Sequence, residues 1–183
     1  MKKIILTCLM AFAILQASAQ IWVEGAVSMN GDKRKVESVS IDQGSFEIMP
    51  TVGYDITDRL ALAVALSYGH ISYGTESYDN KSNAYGISPF VRYTFVQKDG
   101  LRFFVDGGVS LTRQAFKKGL GKYKEFDVFA TPGLSYDINE RVSIVGKLGK
   151  IGWMRNWYNG DVNNTQLELG LYTALSLGFI VKL

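Results

Sequence analysis

Strict alternation of apolar and polar residues near the carboxyl end limits this chain to very few folds. Between positions 166 and 183, one face of an extended chain carries large apolar side chains and the other carries mostly small or polar ones. The apolar row comprises Leu167, Leu169, Leu171, Leu175, Leu177, Phe179, Val181 and Leu183, interrupted by Thr173. Successive side chains of a β-strand point to opposite faces, so this period indicates a strand that separates two environments.

The same alternation recurs upstream, near residues 60–69, 85–95 and 101–112. After position 19, no uninterrupted apolar run reaches the length of about 18 residues that a membrane-spanning helix needs. The hydrocarbon core of a bilayer offers the backbone no hydrogen-bond partners, so strands cross it only as a closed barrel. The pattern therefore predicts a barrel, which is either embedded in a membrane or soluble.

A repeated motif gives the number of strands. The sequence has three prolines, and Pro50, Pro89 and Pro132 are each followed by an aliphatic residue two positions on and by tyrosine four positions on. A fourth copy without proline runs from Leu175 to Phe179. The copies lie about 40 residues apart, which fits one β-hairpin with its return loop. Four such units predict an all-β, eight-stranded antiparallel up-and-down barrel.

The connections between the predicted strands differ on the two sides. Each proline motif leads into a short polar turn, near residues 55–59, 97–100 and 137–141. The opposite connections are predicted to be long loops, at about 30–44, 73–83, 113–125 and 152–164. This asymmetry is typical of an outer-membrane barrel, with its short turns in the periplasm. Because proline cannot donate a ladder hydrogen bond, the three prolines also predict a row of bulges or distorted pairing.

The polar faces of the strands distinguish a membrane barrel from a soluble one. A soluble lipocalin-type barrel turns its apolar face inward, and its outer face should be roughly a quarter to a third charged. Here the polar face carries mainly Gly, Ala, Ser and Thr, which suit a crowded interior, so we expect the apolar face to meet lipid. The isolated charges on the polar face form a predicted lumen charge network: Glu47, Arg92, Arg102, Asp106, Lys147 and Glu168.

Lone buried charges are costly, so these residues should form pairs. Asp106 and Lys147 each lie five positions beyond the start of their strands, which places them at similar height in the barrel. Glu47 is within plausible reach across the lumen. We therefore expect Lys147 to pair with Asp106 or Glu47 and to close the lumen.

Aromatic residues end the four descending strands at equivalent points. These residues, Tyr54, Tyr93, Tyr136 and Phe179, are predicted to form a periplasmic aromatic girdle. Tyr68, Tyr85 and Phe126 lie near the opposite ends of their strands. The alternative is ordinary cross-strand aromatic packing in the core of a soluble barrel.

The first 19 residues are predicted to be a secretory signal peptide. Two lysines precede an apolar run that ends at Leu15, and Ala17-Ser18-Ala19 is a small-x-small cleavage site. Cleavage near Ala19 leaves residues 20–183 as a single barrel domain. Cys8 lies inside the apolar run rather than after the cleavage site, which disfavours a lipoprotein anchor.

Composition excludes several classes of site. The net charge of +3 includes two lysines of the predicted signal peptide, so nothing suggests a nucleic-acid partner. The single cysteine also falls in that segment, which excludes a disulfide framework in the barrel. One histidine and scattered carboxylates have no metal-ligand spacing. We predict neither a metal nor a cofactor.

Taken together, these patterns resemble the outer membrane protein β-barrel family, small porin-like barrels related to the transmembrane domain of OmpA and to OmpW. The resemblance rests on the segments Gly53–Leu62 (GYDITDRLAL) and Ile87–Tyr93 (ISPFVRY) and on the amphipathic last strand. It spans residues 20–183 and implies the outer membrane of a Gram-negative bacterium. The implied partners are outer-membrane lipids, lipopolysaccharide and the barrel assembly machinery, and we expect a monomer.

The expected function is structural: a porin-like barrel with a lumen filled by side chains and no enzymatic activity. The alternatives are transport or binding of small apolar molecules, and surface adhesion through the loops. Trp153, Arg155, Trp157 and Tyr158 could serve adhesion or form an upper girdle, and the lysines of the third predicted loop are expected to face lipopolysaccharide. These lysines are Lys117, Lys118, Lys122 and Lys124.

A lipid A-modifying enzyme is the remaining alternative. His70 and Ser72 share one face near the outer rim and are similar to the His-x-Ser of the lipid A deacylase barrel. Acyl transfer needs a nucleophile, a base and an orienting group. The nearest acid is Glu76, in a predicted loop, and the flanking residues differ from the deacylase.

Overall fold

A computed structural model describes residues 21–36, 39–75, 78–116, 122–158 and 161–183. The eight strands are β1 (Ile21–Val36), β2 (Val39–Asp55), β3 (Leu60–Thr75), β4 (Tyr78–Lys98), β5 (Leu101–Phe116), β6 (Lys122–Asp137), β7 (Val142–Tyr158) and β8 (Asp161–Lys182). Each strand pairs antiparallel with the next, and β8 pairs with β1, so the sheet closes into a barrel. The predicted eight-stranded barrel is confirmed. The predicted signal peptide lies outside the described residues.

The large apolar side chains lie on the outside of the barrel. On β3, Leu62, Val64 and Leu66 are about half exposed, whereas Ala61 and Ala63 point inward and are buried. On the other strands, most of the large apolar side chains whose exposure is described also lie on the outer face. An apolar outer wall of this extent excludes the soluble barrel, whose outer face would be charged. None of the described residues forms a helix long and apolar enough to cross a membrane.

The interior is filled on the side of the short turns. Trp22, Phe90 and Phe104 form a buried apolar cluster there with Ala61, Ala63, Val145 and Ile180. Glycines on neighbouring strands make room for the rings: a Cβ at Gly53 would lie 2.1 Å from the Trp22 ring, and one at Gly133 would lie 2.4 Å from the Phe104 ring. The glycines of the inward face thus leave the space that these aromatic rings occupy.

Two of the short turns share one design. The Thr57 hydroxyl accepts hydrogen bonds from the backbone N–H groups of Arg59 (3.2 Å) and Leu60 (3.0 Å). In the corresponding turn, Asn139 Oδ1 accepts from Arg141 (2.9 Å) and Val142 (2.8 Å). In both turns, one side-chain oxygen therefore accepts hydrogen bonds from backbone N–H groups that have no partner on a neighbouring strand within the turn.

The turn between β4 and β5 uses positive φ instead. Asp99 has φ 51° and Gly100 has φ 81°, the conformation of a two-residue type I′ hairpin turn. Asp-Gly is among the sequences that this turn favours, because both central residues must adopt the left-handed region. All three short connections therefore use the side-chain hydrogen bonds or the positive φ that their residue types favour.

The prediction of four long loops at the opposite end was wrong. The β1–β2 ladder continues to Val36 opposite Val39, and the β3–β4 ladder continues to Thr75 opposite Tyr78. The remaining strands also extend through most of the segments predicted as loops three and four. Beyond the lipid both faces of a strand meet polar surroundings, so the apolar–polar alternation ends although backbone pairing continues.

The prolines interrupt the sheet on one side only. The pairing of β2 with β3 skips Met49 and Pro50, and the pairing of β4 with β5 skips Ser88 and Pro89, both without a change of register. At Pro132 the β6–β7 pairing shifts register. The predicted row of bulges or distorted pairing is observed as one bulge and two local gaps in the pairing. A missing donor removes ladder bonds without requiring an extra residue.

Candidate functional site in the barrel lumen

Four charged side chains from four strands meet inside the barrel. Glu24 comes from β1, Arg92 from β4, Asp106 from β5 and Lys147 from β7. Each occupies an inward position of its strand, as the period of two requires. We call these four residues the lumen charge cluster.

Arg92 is the centre of the lumen charge cluster. Its Nε lies 2.7 Å from Asp106 Oδ1 and its Nη2 lies 2.8 Å from Asp106 Oδ2, which makes a bidentate pair. The same Nη2 donates to Glu24 Oε2 at 2.9 Å. Bidentate guanidinium–carboxylate contacts are among the strongest hydrogen bonds in proteins, and their planar geometry fixes both side chains.

Lys147 completes a ring of alternating charge. Its Nζ lies 2.6 Å from Glu24 Oε1 and 3.1 Å from Asp106 Oδ2, so each carboxylate contacts both cations. Two acids and two bases leave the cluster formally neutral. Glu24, Arg92 and Asp106 are only 1%, 7% and 2% exposed. Such desolvation is tolerated because every charge in the cluster has a partner of opposite sign.

Aromatic rings enclose the cluster. The Arg92 guanidinium carbon lies 4.0 Å from the centroid of the Phe104 ring and 4.9 Å from that of Trp22, and Lys147 Nζ lies 5.3 Å from that of Phe90. These are cation–π distances. A cavity on the side of the short turns, which Trp22, Arg92 and Phe104 help to line, has a volume of about 40 Å³. The side chains thus fill the lumen at this level, as expected of a barrel of about eight strands.

The structure brings together three of the residues predicted for the lumen network: Arg92, Asp106 and Lys147. Lys147 contacts Asp106, which was one of its two expected partners, and its second partner is Glu24 rather than Glu47. Glu47 lies higher in the barrel, where the Ser28 hydroxyl is 3.4 Å from it.

The two remaining predicted members are not described as part of the cluster. Arg102 lies nearer the short turns and pairs with Asp137 at 2.6 Å, because it enters β5 four residues before Asp106. The side chain of Glu168 lies outside the described residues. Among the side chains that the structure describes, the lumen holds a compact four-residue cluster that includes three of the six predicted charges.

Sequence reasoning missed Glu24 because the first strand has apolar residues on both faces. Trp22 and Ala26 point inward, whereas Val23 and Val27 point outward, so the alternation gives no clear phase. One signal was available: Glu24 is the only charged residue between positions 21 and 29. A single charge in a membrane-spanning strand favours an inward position, where it can find a partner.

The four residues of the predicted girdle lie on the outer wall near the short turns. Tyr93, Tyr136 and Phe179 are about half exposed, and Tyr54 is partly exposed. Tyr93 and Tyr136 each lie opposite the first residue of the neighbouring strand. Their role in anchoring the barrel at a membrane interface stays a prediction.

Toward the opposite end the lumen becomes polar. The hydroxyl of Ser88 donates to that of Ser110 at 2.9 Å, and Gln114 Nε2 donates to the Ser82 hydroxyl at 2.6 Å. Lys150 pairs with Asp127. This upper lining offers hydrogen-bonding groups rather than an apolar path.

His70 lies on the outer wall and contacts an amide. Its Nδ1 is 2.9 Å from Asn83 Oδ1, on the paired strand β4. The side chain of Ser72 and the whole of Glu76 lie outside the described residues. Among the residues that are described, no group of three or more His, Cys, Asp or Glu side chains could hold a metal ion.

Comparison with known proteins agrees with this geometry. Residues 4–172 match the family described as the outer membrane protein beta-barrel domain. No curated protein matches the chain significantly. Three similar solved structures are barrels of comparable length. Neisserial surface protein A has 23% identity and a TM-score of 0.53, over 91% of this chain and 99% of that chain.

The other two are more distant in sequence. OprG from Pseudomonas aeruginosa has 12% identity and a TM-score of 0.58, over 91% of this chain and 96% of that chain. Outer membrane protein W of E. coli has 9% identity and a TM-score of 0.51, over 91% and 98%. At such identities the likeness concerns the fold and carries no particular activity.

Proposed function

The chain belongs to the outer membrane protein beta-barrel domain family, and from this premise we propose that it is a structural barrel closed to solute flow. The observation that supports this proposal is the lumen charge cluster. Its four side chains and the surrounding rings of Trp22, Phe90 and Phe104 occupy the lumen at one level. A conducting pore would need a continuous water-filled path past that level.

The chemistry of the lumen charge cluster suits a lumen that is permanently closed. Opening the lumen would separate Arg92 or Lys147 from a buried carboxylate, and an unpaired buried charge typically costs several kcal/mol. The neutral sum of the four charges also leaves no net field to attract an ion of either sign. The barrel would thus contribute to membrane integrity rather than to exchange of solutes.

Conductance in planar bilayers tests the proposal. We expect the wild-type protein to show no steady conductance, whereas Lys147→Ala combined with Asp106→Ala should open a path by removing two of the four side chains. Asp58→Ala with Arg59→Ala is the matched control, because it removes one acid and one cation from an exposed turn. A large steady conductance of the wild-type protein would overturn closure of the lumen.

A second candidate function, binding of small apolar molecules, is favoured by a groove on the outer wall. The groove has a volume of about 610 Å³, and its lining includes Val52, Leu62, Val64 and Val91. It faces lipid rather than the polar upper lumen. An apolar molecule would therefore bind on the wall and would not cross the barrel.

Gly107 provides a test of the groove. It lines the groove, and a Cβ added there would have no neighbour closer than 4.0 Å, so Gly107→Leu should fill the space without disturbing the wall. Gly25→Leu is the control, because Gly25 also has open space around it and lies outside the groove. In nanodiscs, loss of fluorescent fatty-acid binding in Gly107→Leu alone would support this candidate. Equal binding of the fatty acid by the two variants would exclude this second candidate function.

We also propose that the barrel is not an enzyme. The described partner of His70 is an amide, which does not supply the charge of an orienting carboxylate. Incubation with lipid A and mass spectrometry should show no release of an acyl chain. An activity that is lost in His70→Ala would contradict the proposal.

The maturation of the chain is proposed on the sequence alone. Export should remove residues 1–19, and the barrel assembly machinery should insert the remainder as a monomer. Amino-terminal sequencing of the outer-membrane protein should begin at Gln20. Native mass measurement in detergent should give the mass of a single chain.

A further inference from the structure

Three cations on adjacent strands project from the outer wall of the barrel. Arg113 on β5, Lys124 on β6 and Arg155 on β7 all have exposed side chains. Each occupies the same outward phase as the lipid-facing residues of its strand, such as Leu111 on β5. We call these three residues the wall cation triad.

The register of the strands places the three charges close together. Arg113 lies directly opposite Lys124 in the β5–β6 ladder. Lys124 lies opposite Trp157 in the β6–β7 ladder, and Arg155 is two positions from Trp157 on the same face. Like charges directly opposite on a sheet destabilise it. The arrangement therefore leaves an electrostatic cost that an anion between the cations would offset.

No acidic side chain among the described residues lies within salt-bridge distance of the wall cation triad. The acids of the same part of β6, Glu125 and Asp127, point into the lumen on the opposite side of the strand. In this part of β6, the base Lys124 therefore lies on the outer face and the two acids lie on the inner face. Since none of the described acids supplies a counter-ion to the outward bases, an anion from the surroundings can take that place.

The triad adjoins the aromatic end of the lipid-facing wall. Tyr85 is 54% exposed and lies opposite Arg113, and its ring centroid is 5.3 Å from that of Tyr68. On the neighbouring strands, the ring of Phe126 makes an edge contact with that of Trp153 at 6.3 Å. Aromatic side chains of this kind mark the level of the lipid headgroups. The triad lies at or just beyond that level, where lipid phosphates are found.

We propose that the wall cation triad binds the phosphate groups of the outer-leaflet glycolipid, lipopolysaccharide. The acyl chains would pack on the apolar wall below, while Arg113, Lys124 and Arg155 hold the phosphates that project from the sugar. Arginine is suited to this role because its planar fork matches phosphate oxygens. The inference rests on the outer-membrane location of the barrel and is independent of whether the lumen conducts.

The experiment compares two lipids that differ only in phosphate. Barrels in detergent micelles are titrated with bis-phosphorylated lipid A and with the same lipid lacking both phosphates. The triad variant is Arg113→Gln with Lys124→Gln and Arg155→Gln. The matched control is Arg59→Gln with Lys98→Gln and Arg141→Gln, which removes the same residue types from the exposed turns at the opposite end. A gel shift on boiling checks that each variant is folded.

We expect the wild type and the control to prefer the phosphorylated lipid, and the preference to fall on the order of fivefold for each triad cation removed. The preference should also weaken as salt is raised. Equal affinity of the wild type for the two lipids, or a preference that survives in the folded triad variant, would overturn the proposal. Inorganic phosphate that competes as strongly as lipid A would also overturn it, since the site would then be one for the free ion.

Discussion

Arg92 and Asp106 lie directly opposite each other on β4 and β5 and are joined by two parallel hydrogen bonds of 2.7 and 2.8 Å. This pair is local, because the β4–β5 hairpin alone places the two residues side by side. Glu24 and Lys147 reach the pair from distant parts of the chain, and Glu24 lies on β1, the strand that pairs with β8 where the barrel closes. All four charges of the lumen charge cluster therefore have partners only when the sheet is closed into a barrel.

That coupling predicts a strongly non-additive effect on stability. Glu24→Gln leaves two buried cations with one carboxylate and should lower the free energy of unfolding by about 3–5 kcal/mol. Adding Lys147→Met restores charge balance, so the double variant should lose less than the sum of the two single variants. Urea unfolding in lipid vesicles, followed by tryptophan fluorescence, measures both effects. Strict additivity would show that Glu24 and Lys147 do not interact.

The outward facing of the last strand predicts different responses to two substitutions at one residue, Leu177. Leu177 is 58% exposed on the outer wall, so Leu177→Arg should cost roughly 2–4 kcal/mol if it lies near the bilayer midplane. Leu177→Phe keeps an apolar side chain and should be close to neutral. Folding yield and stability in lipid vesicles provide the measurement. If Leu177→Arg folds as well as Leu177→Phe, residue 177 does not face lipid.

The short turns offer a prediction about a single hydroxyl. Thr57→Ala removes the acceptor of two backbone N–H groups and should destabilise the barrel by about 1 kcal/mol. Thr57→Asn should be tolerated, because Asn139 performs the same role in the corresponding turn. Equal stability of the two variants in urea would mean that water satisfies these donors as well as the side chain does.

The strands and their facing could be predicted because a membrane barrel imposes a period of two wherever one face meets lipid. Leu62, Val64 and Leu66 alternate with alanines for this reason, and the structure turns them as the sequence indicates. The outer ends of the strands could not be predicted in the same way. From Asn30 to Val36 the composition is that of a loop, yet the ladder with β2 continues through it.

Phase changes within a strand also escaped prediction. The pairing of β7 with β8 shifts register between Leu148 and Lys150, so inward positions are odd-numbered at Lys147 and even-numbered at Gly152. Gly149, between them, has φ 66° and no side chain to reveal its direction. The lumen charge cluster was predicted only in part, because the facing of one of its strands was also ambiguous. Lone charges in alternating strands identified Arg92, Asp106 and Lys147, whereas Glu24 lies in a strand of ambiguous phase.

The close approach of Trp22 to Gly53 makes the most specific prediction about packing. A Cβ at Gly53 would lie 2.1 Å from the Trp22 ring, so Gly53→Ala must displace the indole that adjoins Arg92 and donates to Asp55 Oδ1 at 2.8 Å. Overpacking of this kind typically costs about 1–3 kcal/mol. The displaced ring should also shift the fluorescence of the folded protein.

Gly25 supplies the matched control for that substitution. It lies on β1, opposite Pro50 on the neighbouring strand, and an added Cβ there would meet nothing within 4 Å. Gly25→Ala should therefore leave both the unfolding free energy and the fluorescence unchanged. If the two alanine variants behave alike, the cost at Gly53 arises from the strand backbone and not from the ring. A loss confined to Gly53→Ala instead identifies Trp22 as the side chain that this glycine accommodates, and it links the inward wall of β2 to the position of Arg92.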